Sequence, residues 1–200
     1  MTKKIAFAFP FAALLAGQTA VTTAQYNNQR TGAILTETVL TPRDVGSGRF
    51  GRLFTIPVEG EVHAQPLYVP NLDMPGKGRR NVVYIATEAD HLYAADADTG
   101  EVLWRIAFAD AGRGVTPLRA SDVRCSFLGP EIGITPTPVI DLAAKTIFVL
   151  VRTRERSSTG EKAFYQRLHA IDLRTGAERP RSPVLIQAQV TVSAWFGLST

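Results

Sequence analysis

Two hundred residues, 45% apolar and 20% charged, amount to one globular domain or two small ones and exclude a disordered polymer. The 16 Gly and 12 Pro carry no collagen-like period. The formal charge of +4 includes Lys3 and Lys4; without those two it falls to +2, too small a bias to argue for a nucleic-acid partner.

The chain starts with a short cationic stretch, Met1 to Lys4, followed by an apolar run over residues 5–16 that includes Phe7, Phe9, Phe11, Leu14 and Leu15. Small residues follow, with Thr22 and Ala24 at the −3 and −1 positions of a cleavage site. This is the three-part pattern of a secretory signal. The run is shorter than the roughly 20 apolar residues a membrane span needs, and it contains Pro10. The sequence therefore predicts export to a periplasm or the extracellular space after cleavage near Ala24, with no transmembrane anchor. Cys125 is the single cysteine, so no disulfide forms within the chain. It has no neighbouring His to activate it and reads as a buried thiol, or else as one that pairs with another chain or with a partner in a longer parent sequence.

Beyond the leader, residues 25–60 form an opening segment whose run 50–58 predicts one leading strand. Further strands are expected at 66–69, 82–87, 91–96, 102–108, 138–141, 146–152, 166–172 and 184–189. Each is rich in Val, Ile, Tyr or Phe and bounded by Gly, Pro, Asp or Asn. No run of ten residues alternates with helical spacing, so almost no helix is expected. Residues 111–134 and 152–162 read as loops, the second as a charged hairpin tip. Without aromatic residues among its arginines, that tip is a solvated loop rather than a nucleic-acid surface.

The strands repeat as a set. Leu92-Tyr93-Ala94-Ala95-Asp96-Ala97-Asp98-Thr99-Gly100 aligns without gaps on Leu168-His169-Ala170-Ile171-Asp172-Leu173-Arg174-Thr175-Gly176. In each copy a fourth strand follows the Thr-Gly turn. Asp side chains bond backbone amides two or three residues on, and Gly supplies the positive φ that such turns use. A repeated four-stranded antiparallel unit of this kind is the blade of a β-propeller. The expected fold is all-β: a partial β-propeller of two four-stranded antiparallel blades plus the leading strand. Residues 61–110 form the first blade, 111–134 an inserted loop, 135–192 the second blade and 193–200 an irregular tail.

Ala94-x-Asp96-x-x-Thr99-Gly100-x-x-x-Trp104 resembles the tryptophan-docking motif of the pyrroloquinoline quinone (PQQ) repeat, and the resemblance extends over about residues 25–190. The opening Tyr26-Asn27-Asn28-Gln29-Arg30-Thr31-Gly32, then Leu40-Thr41-Pro42 and Val45, is similar to the start of exported members of that family. The family includes quinoprotein dehydrogenases and non-enzymatic scaffolds. The resemblance implies that Trp104 packs between blades against its neighbour's turn. The second copy keeps Ala170, Asp172, Thr175 and Gly176 but has Pro180 where Trp belongs, so docking is expected to be weaker there. Two units fall short of the four that closure takes. The chain therefore resembles a truncated member, completed by other blades or by oligomerisation.

The innermost strand of a blade lines the channel, which puts His63 and Gln65 at one channel mouth with Glu131, Thr135 and Thr137. In the dehydrogenases a Ca²⁺ and the quinone occupy such a mouth, and an Asp acts as base. Here Glu131 is the one oxygen ligand in view, short of the six or more that a hard cation takes. No vicinal Cys pair and no assignable base accompany it. Asp96-x-Asp98-x-Gly100 reads as turn chemistry and not as a calcium loop, since Ala107 stands at the twelfth position. His91 and His169 match no zinc spacing. Two functions stay open. The first is an exported binding or scaffolding module without catalytic residues of its own. The second is part of an alcohol or sugar dehydrogenase using PQQ and Ca²⁺, both held only by a complete propeller.

Overall fold

The two sequence repeats become two antiparallel sheets whose apolar faces meet. The computed structural model describes residues 19–35, 37, 40–46, 48, 50–123, 129–156 and 159–188. Cys125 and the tail 193–200 lie outside the described residues. The first sheet holds β1 (Leu67–Met74), β2 (Gly78–Ala86), β3 (His91–Asp96) and β4 (Val102–Ala107) in that spatial order. The second contains β5 (Thr116–Arg119), β6 (Glu131–Ile132), β7 (Val139–Asp141), β8 (Thr146–Arg156), β9 (Lys162–Asp172) and β10 (Val184–Leu185). Its order is β10-β9-β8-β5-β6, with β7 pairing β8 beside β5. Neither sheet closes on itself. Among the described residues helix is confined to α1 (Pro42–Gly46), α2 (Ala120–Val123) and a 3-10 turn at Ala111–Arg113.

Register decides which side chains meet. Residues directly opposite in an antiparallel pair share a face, so Leu67, Tyr84, Ala94 and Trp104 make one row across the first sheet. A bulge between Ala94 and Ala95 gives β4 an extra residue there, which sets the parity that keeps Trp104 in this row. The row faces Ile140, Ile147, Val149, Val151, Ile171 and Leu173 of the second sheet, and all these belong to one core. Ile147 and Ile171 are opposite one another and fully buried. Each such side chain contributes about 1.5–3 kcal/mol.

The opposite face of the first sheet carries the row Ile85, Tyr93 and Arg105. Because both faces are covered, all six residues of β3 are buried, and its sequence is nearly continuously apolar. The cover is residues 50–59, extended and alternating, with Phe54, Ile56 and Val58 half-buried and Leu53, Thr55 and Pro57 exposed. Here the structure corrects the expected leading strand. Residues 50–58 have the strand period but join no ladder among the described residues.

Three further corrections concern lengths. The inserted loop contains β5 and β6, with β5 pairing the far end of β8 at Thr153 and Arg154. The hairpin tip is smaller than expected, since β8 and β9 pair from Thr146–Asp172 out to Arg156–Lys162. Of the last expected strand, 184–189, the two exposed residues of β10 are strand and 186–188 are not; residue 189 lies outside the described residues. At the other end, residues 21–24, which the sequence puts in the removed leader, pack onto the body. Val21 exchanges both backbone hydrogen bonds with Tyr68 at 2.8 and 2.9 Å, and the Thr22 carbonyl accepts the Ile140 amide at 2.8 Å. This short stretch therefore ties β1 to β7. Among the described residues no helix is long and apolar enough to cross a membrane.

Candidate functional site

Both Thr-Gly turns form the same bonds. Asp96 Oδ1 accepts the amides of Asp98 (2.8 Å) and Thr99 (3.1 Å), and Asp172 Oδ1 accepts those of Arg174 (2.8 Å) and Thr175 (3.1 Å). Gly100 and Gly176 close the turns at φ +80° and +73°, donating to the Asp96 and Asp172 carbonyls. An L side chain at either position would be strained. Asp172 feels two opposing effects. Burial pushes its carboxyl up, while the Arg174 amide and guanidinium, with Arg179 beyond, hold it below the ordinary range.

On the second turn sits Trp104. Its Nε1–H donates to the Leu173 carbonyl at 3.0 Å, and a Cβ placed on Gly176 would stand 3.1 Å from the indole ring. The buried Tyr84 hydroxyl donates to the same carbonyl at 2.9 Å, and the Tyr84 and Trp104 rings lie 5.8 Å apart. Burial pushes the Tyr84 phenol far up, so it keeps the proton it donates. On the first turn an aromatic occupies the same place: a Cβ on Gly100 would lie 2.7 Å from the Phe54 ring. Nothing in the motif spacing marks Phe54, and only the shared geometry of the two glycines identifies it.

The channel-mouth candidates split into two groups. Gln65 donates its backbone amide to Thr137 Oγ1 at 3.0 Å, and its side-chain oxygen accepts the Gln25 amide at 2.8 Å. These two residues join the opening of the first sheet to the approach of the second. Thr135 and Glu131 lie instead on a strap, residues 129–135, that crosses the turn between β2 and β3. Thr135 Oγ1 donates to Glu88 Oε2 at 3.0 Å, as does the Gly133 amide at 2.8 Å, and the Ile134 amide donates to the Thr87 carbonyl. His63 Nδ1 lies 3.4 Å from Glu88 Oε1, and His63 Nε2 lies 3.2 Å from Glu61. Neither Glu88 nor Asp90 was legible as special in the sequence; both are fully buried.

Asp90 is the electrostatic anomaly of this region. Neither of its carboxyl oxygens has a hydrogen-bond partner; Thr87 Oγ1 has none either, and Glu88 Oε1 has only the longer contact with His63. Burial, then the charges of Glu88 and Glu131, push its pKa up to about 8. Burial also holds His91 below the ordinary imidazole value. His169 is buried against Phe108, with Nδ1 3.0 Å from Glu178.

These donors do not fit the Ca²⁺ and quinone that the resemblance implies. Gln65 and Thr137 are engaged with each other, and Thr135 is turned onto Glu88. Among the described residues no three His, Cys, Asp or Glu side chains converge as a metal would need. Gly133 fills the space beside Asp90, where even a Cβ would collide with Asp90 Oδ1 and the Glu88 carbonyl. No family model matches the chain, and a search of curated proteins finds no match either.

Proposed function

We propose that this chain is two consecutive units of a PQQ-repeat-like β-propeller and that it serves as an exported binding or scaffolding module, without catalytic activity of its own. The observation that carries the reading is Trp104 of one sheet seated on the Asp172–Gly176 turn of the next. Phe54 on Gly100 extends the pattern backwards: residues 50–58 take the place of an outer strand from a preceding unit. A cleft of about 380 Å³ between Pro57–Glu59 and Tyr93, Val102 and Arg105 lies where the rest of that unit would stand. The units that flank the chain in a ring are therefore its natural partners.

Purified chain mixed with PQQ and Ca²⁺ tests the lack of catalysis directly. The expected result is no dye-linked oxidation of an alcohol or of glucose; turnover above a boiled control overturns this part of the reading. The stacking itself is tested by the substitutions at Trp104 described below.

A further inference from the structure

The turn Thr87–Asp90 carries two fully buried carboxyl groups in contrasting states. Glu88 accepts two hydrogen bonds from the strap, whereas Asp90 accepts none. An ionised carboxylate without hydrogen bonds in a water-excluded site is costly enough that the group takes up a proton instead. The surroundings push the same way. Glu88 lies on the turn itself, Glu131 comes from the strap, and Glu61 and His63 come from the segment before β1. His91 of β3 completes the shell, with its Nε2 3.7 Å from Glu59, which is itself paired with Arg105 at 2.7 Å. The charges that act on Asp90 are the carboxylates of Glu88 and Glu131, and among the described residues no cation pairs with it. A metal ion is the poorer occupant, because Gly133 leaves it no room.

We propose that Asp90 is a proton-operated latch on the strap: protonated, it lets Glu88 hold Gly133 and Thr135, and ionised, it drives the strap off the first sheet. The proton leaves to solvent base, and no covalent bond other than O–H changes. The latch stands independently of whether the sheets belong to a propeller. Its pH window follows from the linkage sign. The closed state holds a proton that the open state releases at an ordinary carboxylate value, so opening becomes easier as pH rises from about 4 towards 8 and levels off above.

The test uses the 200-residue chain with isotope-labelled carboxyl carbons, read by NMR from pH 4 to 10. Amide exchange at Gly133 and Ile134, corrected for intrinsic rate, is measured alongside. Asp90 is expected to titrate far above other aspartates, and strap protection is expected to fall by up to about tenfold per pH unit within the window. In Asp90→Asn the strap protection should be flat with pH. An Asp90 signal titrating in the ordinary range overturns the latch, and so does strap protection with the same pH dependence in both proteins. If Asp90→Asn does not fold, the wild-type carboxyl titration and exchange profile decide alone.

Discussion

Trp104 donates its indole N–H to the carbonyl of Leu173, and by that bond the outer strand of one sheet grips the turn of the next. The same carbonyl takes the Tyr84 hydroxyl, so both of its lone pairs are used and the junction has a polar centre within an apolar surround. Trp104→Ala removes the ring and the bond together and should cost about 3 kcal/mol, the lower end for a large aromatic because Trp104 is only half-buried. Trp104→Phe and Tyr84→Phe should each cost about 0.5–1.5 kcal/mol, since each leaves Leu173 one partner. The double variant should cost more than the sum of the two, because the carbonyl is then buried unsatisfied. Urea unfolding of wild type and the four variants measures this; an additive pair, or an unchanged Trp104→Ala, refutes the docking.

The two turn glycines separate backbone strain from junction packing. Gly100→Ala and Gly176→Ala both force an L residue to a left-handed φ, at about 1–2 kcal/mol. The added methyl on residue 176 must also push the Trp104 ring, which two hydrogen-bonded strands hold in place. On residue 100 it meets only Phe54, whose segment joins no ladder and can retreat. Gly176→Ala should therefore lower the thermal midpoint further, even though a Cβ on Gly100 would lie nearer its ring at 2.7 Å than one on Gly176 at 3.1 Å. Equal shifts would mean that the junction contributes nothing beyond the turn.

Cleavage at the site the sequence predicts, near Ala24, would carry a structural cost. A chain starting at Gln25 lacks the Val21–Tyr68 pairing and the Thr22–Ile140 bond, together with the burial of Val21. That loss should destabilise by roughly 3–6 kcal/mol relative to a chain starting at Val21. If the chain is exported and cleaved as the sequence predicts, its amino terminus, read by mass spectrometry, is expected before Val21 rather than after Ala24. Equal stability of the two truncated chains would show that residues 21–24 are dispensable.

Acid should weaken the second turn. Asp172 has a folded-state pKa below the ordinary 3.8, so its contribution is complete above that value and is lost as pH falls through the folded value. Asp172→Asn keeps the acceptor for Arg174 and Thr175 but loses the pairing with Arg174 and Arg179, at 3.3 and 2.9 Å. The variant should melt lower at pH 7 and decline less than wild type between pH 4 and 2. Parallel acid limbs in a melting series would remove Asp172 from the account.

How much of this was legible depended on whether the cause was local. Residues 91–96 form the expected strand because they are apolar on both faces between two turn sequences. The Asp-x-x-Thr-Gly turns form because their bonds run between near neighbours. β5 was hidden, since Thr116-Pro117-Leu118-Arg119 carries a proline and a charge, and its partner Arg154 lies on a distant strand. The outer parts of β8 and β9 read as loop in the sequence because of their charges. Those charges are matched across the sheet: Arg167 pairs with Glu155, and Arg154 meets Asp122 at 3.3 Å. Residues 50–58 show the opposite error, a strand period with no partner strand. Thr87-Glu88-Ala89-Asp90 has a polar turn's composition, and its burial comes from chain far away in sequence, the strap of residues 129–135 and the segment with Glu61 and His63.

The aromatic-on-glycine contact is made across two very different lengths of chain, from Phe54 to Gly100 and from Trp104 to Gly176. The polypeptide between the docking partners is thus a spacer whose size the sheets ignore. Closing a longer spacer adds only a logarithmic entropy cost, about 0.6 kcal/mol per doubling. The solvent-facing turn at Ala111–Gly114 is consequently a graft point: foreign peptides inserted there would be displayed without re-registering either sheet.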